Sequence, residues 1–103
     1  MMNTPKQGRF RHIVFKDGDT WYAVALEFNI VESGDSPVLA YANLLEAAAG
    51  YIESVKKIRG LRNYDVLNQK SDREYETLWT NLQSSKPIKS PFQVSSFGYS
   101  NVA

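Results

Sequence analysis

The sequence predicts an α+β domain: a three-stranded antiparallel sheet, one long helix laid on it, an inserted second helix and a C-terminal fourth strand. Three observations carry this. Short runs rich in β-branched and aromatic residues, Arg9–Lys16, Thr20–Glu27 and Ile30–Ser33, are separated by turn residues. A Gly34-Asp35-Ser36-Pro37 corner opens a long apolar-faced helix. After Pro87 and Pro91, which no helix spans, the run Gln93–Tyr99 alternates as a strand does.

Each element has a local reason. In the first run Phe10 and Val14 alternate with Ile13 and Phe15, so both faces of that strand are expected to be covered at least in part. Asp17-Gly18-Asp19 supplies a hairpin turn, Gly18 tolerating positive φ and the aspartates bonding local backbone. The second strand sets Tyr22, Val24 and Leu26 on one face and Trp21, Ala23 and Ala25 on the other. The small Ala23 and Ala25 leave room for a neighbouring chain or partner to approach. Grouped with Ile13 and Phe15, they predict an apolar sheet face opposite the helix, and hence a homo-oligomer, most simply a two-fold dimer. Residues 1–8, polar and carrying Pro5 and Gly8, read as a flexible arm ahead of a single domain over 9–103.

Ser36 suits the N-cap, its oxygen accepting from free first-turn amides, and Pro37 suits the first helical position, where an N–H has no partner. Val38, Ala42, Leu45, Ala49, Ile52 and Val55 then recur at helical spacing, so this stripe is expected to cover the sheet, with Leu45→Ala costing about 2–5 kcal/mol. A second line through Tyr41, Leu44, Ala48 and Tyr51 widens the apolar surface. Gly60 is expected to stop the helix, and Lys56, Lys57, Arg59 and Arg62 crowd its end, where cations complement the partial negative charge. That cluster also has an anion-binding reading. Asn63–Gln69 reads as a linker. Ser71 and Glu74 form a capping-box pattern for a second helix carrying Tyr75, Leu78, Trp79 and Leu82.

Composition narrows the function classes. Hydrophobic residues at 43 % and charged residues at 22 % describe a globular chain rather than a disordered one. Twelve Lys+Arg against eleven Asp+Glu leave a net charge of +1, so attraction to nucleic acid or anionic membrane would need a local patch. Without cysteine there is no disulfide framework and no thiolate metal site. No stretch approaches the roughly 18 apolar residues of a spanning helix, and the expectation is a cytoplasmic protein with no membrane contact.

No catalytic motif stands out, and neither an enzyme activity, a cofactor nor a metal is expected. His12 is the single histidine and has no partnered nucleophile in sequence, so a hydrogen-bonded strand residue is the simpler reading. Asp17 and Asp19 resemble the start of a cation loop, yet Thr20 and Trp21 bring no ligands at the next offsets. Glu27, Glu32 and Asp35 at strand ends are explained by solvation and capping without a metal cluster. In the tail, Phe92, Phe97 and Tyr99 interleave with Lys86 and Lys89, a pattern that also suits stacking on single-stranded nucleic acid. The candidate partner or oligomer interface is Trp21, Ala23, Ala25 and Trp79.

The ordered set Phe15-Lys16-Asp17-Gly18, Trp21-Tyr22-Ala23-Val24, Gly34-Asp35-Ser36, the helix Val38–Val55, and Pro87-Ile88-Lys89-Ser90-Pro91 before Gln93–Phe97 resembles the N-terminal domain of HicB-like antitoxins. Two segments depart from that pattern. Glu27-Phe28-Asn29-Ile30-Val31 replaces the usual Pro-Asp-Leu-Pro-Gly-Cys run, and residues 58–82 read as an insertion carrying the second helix. A DNA-binding domain of the kind typical members carry is not expected within the chain. The resemblance implies a βββαβ sheet with one covered face, in a protein that binds and blocks a small RNase toxin of the HicA kind. The competing expectations are a small nucleic-acid-binding protein and a structural homo-oligomer.

Overall fold

In the computed structural model, residues 2–57, 62–84 and 92–102 are described, residues 62–64 by their backbone alone. The elements in chain order are β1 (Arg9–Asp17), β2 (Thr20–Ala25), a 3-10 turn (Leu26–Phe28), β3 (Ile30–Gly34), α1 (Pro37–Val55), α2 (Arg62–Leu67), α3 (Arg73–Gln83) and β4 (Gln93–Asn101). The strands form one sheet in the order β3-β2-β1-β4, every neighbouring pair antiparallel. The expected α+β layout is therefore present, with β4 added beside β1. Arg59, Gly60 and the Pro87–Pro91 segment lie outside the described residues.

Turn chemistry sets the strand connections. Gly18 takes φ +63° between the paired Asp17 and Thr20, a conformation that costs a side-chain-bearing residue energy. After the 3-10 turn Asn29 sits at φ 53°, where a short amide side chain is tolerated, and its Nδ2 donates to the Lys70 carbonyl at 3.2 Å. At the corner into α1, a Cβ on Gly34 would stand 2.6 Å from the Ala40 nitrogen, so only glycine lets the first helical turn cross β3 this closely. Ser36 Oγ accepts from the Leu39 N–H at 3.1 Å, the expected cap. Ser36→Ala should lower the unfolding free energy by about 1 kcal/mol in a denaturant melt.

The face of α1 that meets the sheet differs from the expected one. Ala40, Leu44, Ala48, Ile52 and Val55 are buried, whereas Val38 is 79 % and Leu45 41 % exposed. The second apolar line is thus the core line, and only Ile52 and Val55 of the first stripe reach the sheet. The reason is that α1 is apolar around most of its circumference, so periodicity alone did not select between two adjacent stripes. α1 lies over β3 and β2 and touches β1 at its edge, leaving β4 outside its cover.

The strand register corrects the expected open face. Val14 pairs with Ala23 and Ile13 with Val24, so Trp21, Ala23 and Ala25 share the α1 side with Phe10 and Val14, not with Ile13 and Phe15. Ala23 and Ala25 are fully buried, their small size letting the helix come close. The opposite face, built from Ile13, Phe15, Val24 and Leu26, is covered by Tyr75, Leu78, Trp79 and Leu82 of α3. β1 and β2 are therefore covered by helices on both faces, and the uncovered face that motivated an oligomer is absent there.

Three further segments depart from expectation. The linker region holds α2, which is docked rather than intrinsically stable: Leu67 is fully buried, the Val66 carbonyl accepts from Tyr51 Oη at 2.7 Å, and Gln69 N–H donates to the Glu27 carbonyl at 2.8 Å. The arm is tied down by Asn3, 2 % exposed, whose Nδ2 donates to the Leu67 carbonyl at 3.1 Å and whose Oδ1 accepts from the Arg9 N–H at 2.8 Å. α3 starts at Arg73 with Asp72 as N-cap, and no capping box forms, because Ser71 Oγ turns to Glu76 Oε1 at 3.1 Å.

Candidate functional site

A polar cleft of about 310 Å³ is lined by Asn3, Arg9, Arg11, Glu27, Asn68, Trp79 and Tyr99. Arg11 occupies a position of β1 on the α3 side of the sheet, on a face otherwise apolar through Ile13 and Phe15, so its guanidinium must find acceptors there. It finds two carboxylates. Nε donates to Glu27 Oε2 at 2.6 Å, and the two terminal nitrogens donate to Glu76 at 2.8 and 2.7 Å in a bidentate pair. The Arg11 backbone N–H donates to Glu27 Oε1 at 2.8 Å.

This network joins β1 to the turn after β2 and to α3. The hydrogen bonds to Glu76 are the largest influence raising the Arg11 pKa, and the same bonds hold the Glu76 carboxyl below the usual carboxylate range. Above it, Arg9 lies 4.1 Å over the Tyr99 ring, and Trp79 meets Phe97 and Tyr99 edge-on at 5.9 and 5.5 Å. Arg9 has no carboxylate partner among the described residues, and Tyr99 is 51 % exposed. The cleft thus offers one cation and one accessible ring beside an Arg11–Glu27–Glu76 cluster in which two carboxylates share one guanidinium.

On the other side of the sheet, His12 Nδ1 and Ser100 Oγ are 2.7 Å apart, and Ser100 Oγ is 2.8 Å from Tyr41 Oη. All three are at least half buried, no carboxylate joins them, and the chain of bonds fastens β4 to α1 rather than presenting a nucleophile. Burial pushes the His12 pKa down from 6.5. A base whose folded-state pKa is depressed adds stability above its unfolded pKa and loses it as the pH falls. Thermal melts should therefore show a loss of stability below pH 6.5, above the window in which Glu76 titrates. His12→Gln should remove the upper part of that pH dependence.

Of the residues singled out in sequence, Trp21 is half-buried at the sheet end where Lys16 Nζ sits 5.9 Å above its ring, and Ala23 and Ala25 lie under α1. Trp79, 5 % exposed, is on the opposite face. They do not share a surface. Glu27 is committed to Arg11, apart from Glu32 on the β3 edge and Asp35 at the corner. Among the described residues no group of three His, Asp or Glu is placed to hold a metal ion. Lys56 pairs with Glu53 at 2.8 Å on the exposed end of α1, and of its cluster only Lys57 also has a described side chain. Sequence reasoning missed the Arg9–Arg11–Glu27–Glu76 group, although an arginine on an apolar strand face was a signal that carboxylates must converge there.

By class, this is a four-stranded antiparallel α+β domain clasped between helices, with an arginine-aromatic cleft on one side and an apolar helix flank on the other. No helix among the described residues is long and apolar enough to cross a membrane. No protein-family model matches the chain, and no curated protein or solved structure is significantly similar to it.

Proposed function

We propose that this chain works by binding, as a HicB-like antitoxin-type module that binds and blocks a small RNase toxin of the HicA kind. The observation that supports the reading is that the segments of the resemblance are the ones on which the fold depends. Asp17-Gly18 closes the β1–β2 hairpin, and Gly34-Asp35-Ser36 turns β3 into α1 at a point where Gly34 alone avoids a 2.6 Å clash. β4 returns to the sheet after the helices. Co-purification of the chain from its source cells, with identification of the bound protein by mass, tests the proposal. A short basic RNase recovered in stoichiometric amount, and inhibited by added chain, is the expected result. Recovery of no RNase, or of one that keeps full activity when saturated with the chain, would sink it.

A second reading, binding of single-stranded RNA, is favoured by the exposed Phe97 and Tyr99 rings beside Arg9. Affinity for an oligoribonucleotide that falls steeply with salt and is lost in Tyr99→Ala would favour it over the first.

A further inference from the structure

We propose that the pocket between the start of α3 and the hairpin end of the sheet is an aromatic cage for a methylated ammonium group, as carried by choline or by a trimethylated lysine side chain. The inference does not rest on the toxin-binding reading. Phe15, Tyr22, Tyr75 and Phe92 line the pocket together with the carboxylates Asp17 and Glu74. Its volume is about 160 Å³, small beside the roughly 300–1,000 Å³ of sites that take drug-sized ligands.

The fold brings these rings to one point. Phe15 of β1 is paired with Tyr22 of β2, and their rings stack at 5.7 Å with an interplanar angle of 28°. Tyr75, in the first turn of α3, meets Phe15 at 6.2 Å, and Phe92, just before β4, meets it at 4.8 Å. Among the described residues no ring contact joins Tyr22, Tyr75 and Phe92 to one another. The three outer rings, all half-buried, therefore stand around the buried Phe15 with the pocket between them. The pocket opens where the cover of α3 ends: Val31 of β3, paired with Val24 and so on the same face, is 43 % exposed.

Ring chemistry and charge select the same occupant. The face of each ring is negative, and several rings around one small space favour an alkylated ammonium, which fills that space with methyl groups and keeps its positive charge. Asp17 and Glu74 are exposed, and neither has an ion pair among the described residues, so both are free to compensate a guest cation. Lys16, the cation next to Asp17, turns away and sits 5.9 Å over Trp21. No described cation lies over Phe15, Tyr22 or Tyr75. Burial first, and then the charges of Glu74 and Asp72, push the Tyr75 hydroxyl up from its ordinary pKa of 10. The field of those carboxylates, which opposes a phenolate, attracts a cation. An anionic ligand would meet two carboxylates and no basic side chain in the lining.

Titration of the whole chain with choline, followed through the aromatic proton NMR shifts of Tyr22 and Tyr75, tests this. Saturable shifts at millimolar choline are expected. The uncharged carbon isostere, in which a tert-butyl group replaces trimethylammonium, should bind about tenfold more weakly or worse. Tyr75→Leu, which keeps apolar bulk under α3, should weaken choline about tenfold, and the exposed Glu74→Gln about threefold, with circular dichroism showing both folded. Should Tyr75→Leu not fold, Tyr22→Leu reads the same loss of a ring. Acetyl-trimethyllysine amide is the second arm, and the tighter of the two ammonium probes names the source as a small molecule or a modified protein. No saturable shift with either probe at about 20 mM overturns the proposal. So does equal binding of the uncharged isostere, which would make the pocket simply apolar. Binding unchanged in both the folded ring variant and Glu74→Gln puts the ammonium elsewhere and overturns it as well.

Discussion

Leu44→Ala should lower the unfolding free energy by about 2–5 kcal/mol, while Leu45→Ala, one position along the same helix, should cost less than about 1 kcal/mol under conditions where the chain is monomeric. Leu44 is fully buried among Val14, Ala23 and Ala48, whereas Leu45 is 41 % exposed. Truncating the first removes apolar contact and leaves a cavity that the short Ala23 and Ala25 side chains cannot refill. Truncating the second returns surface that water already reaches. Paired urea melts read the difference directly, and two equal losses would show that α1 is rotated from the described phase.

Trp79→Ala should cost about 3–5 kcal/mol, a large share of the roughly 5–15 kcal/mol that holds a domain of this size together. Its ring packs in the cluster of Ile13, Val24 and Leu26, meets Phe97 and Tyr99 edge-on, and lies 5.5 Å from the Arg11 guanidinium. α3 has 11 residues and no side-chain N-cap, too little to persist without its docked face. Losing the ring also exposes the Arg11–Glu76 pair to solvent screening. The melting curve should shift down together with the near-ultraviolet signal. An unshifted curve would mean that α3 adds nothing to the sheet.

The parts of this fold that were legible in sequence are those decided within a few residues. Runs of β-branched and aromatic residues between turns located the first three strands, alternation after Pro91 located the fourth, Gly18 located the hairpin, and Ser36-Pro37 located the start of α1 with its cap. The parts that were not legible depend on choices made across the chain. Two apolar stripes on α1 were equally periodic, and only the packing of Leu44 and Ala48 against Ala23 and Ala25 distinguishes the buried one. The two faces of β2 were separated correctly, but joining them to those of β1 required the register Val14↔Ala23, which no local pattern specifies. α2 has almost no helical signature and exists because Leu67 is buried and its backbone is bonded. In the cleft, the lone Arg11 on an apolar face was visible, but Glu76 lies 65 residues away and nothing short of the folded sheet pairs them.

The pairing of β1 with β4 carries a cost in time. Arg9 is opposite Asn101 and Lys16 opposite Gln93, so the first strand of the sheet waits for partners synthesised 92 and 77 positions later (101 − 9 and 93 − 16). Until residues 93–101 have emerged from the ribosome, β1 presents an open edge of unpaired amides and carbonyls. Its Ile13 and Phe15 side chains meanwhile lack Val94, the β4 contribution to their apolar cluster. An edge of that kind is a template for joining the wrong chain, and contacts of such long separation close slowly. The nascent chain is therefore most prone to aggregate after β1, β2, β3 and α1 have formed and before the sheet is sealed, and slowing translation across residues 84–101 should raise the insoluble fraction more than slowing it earlier.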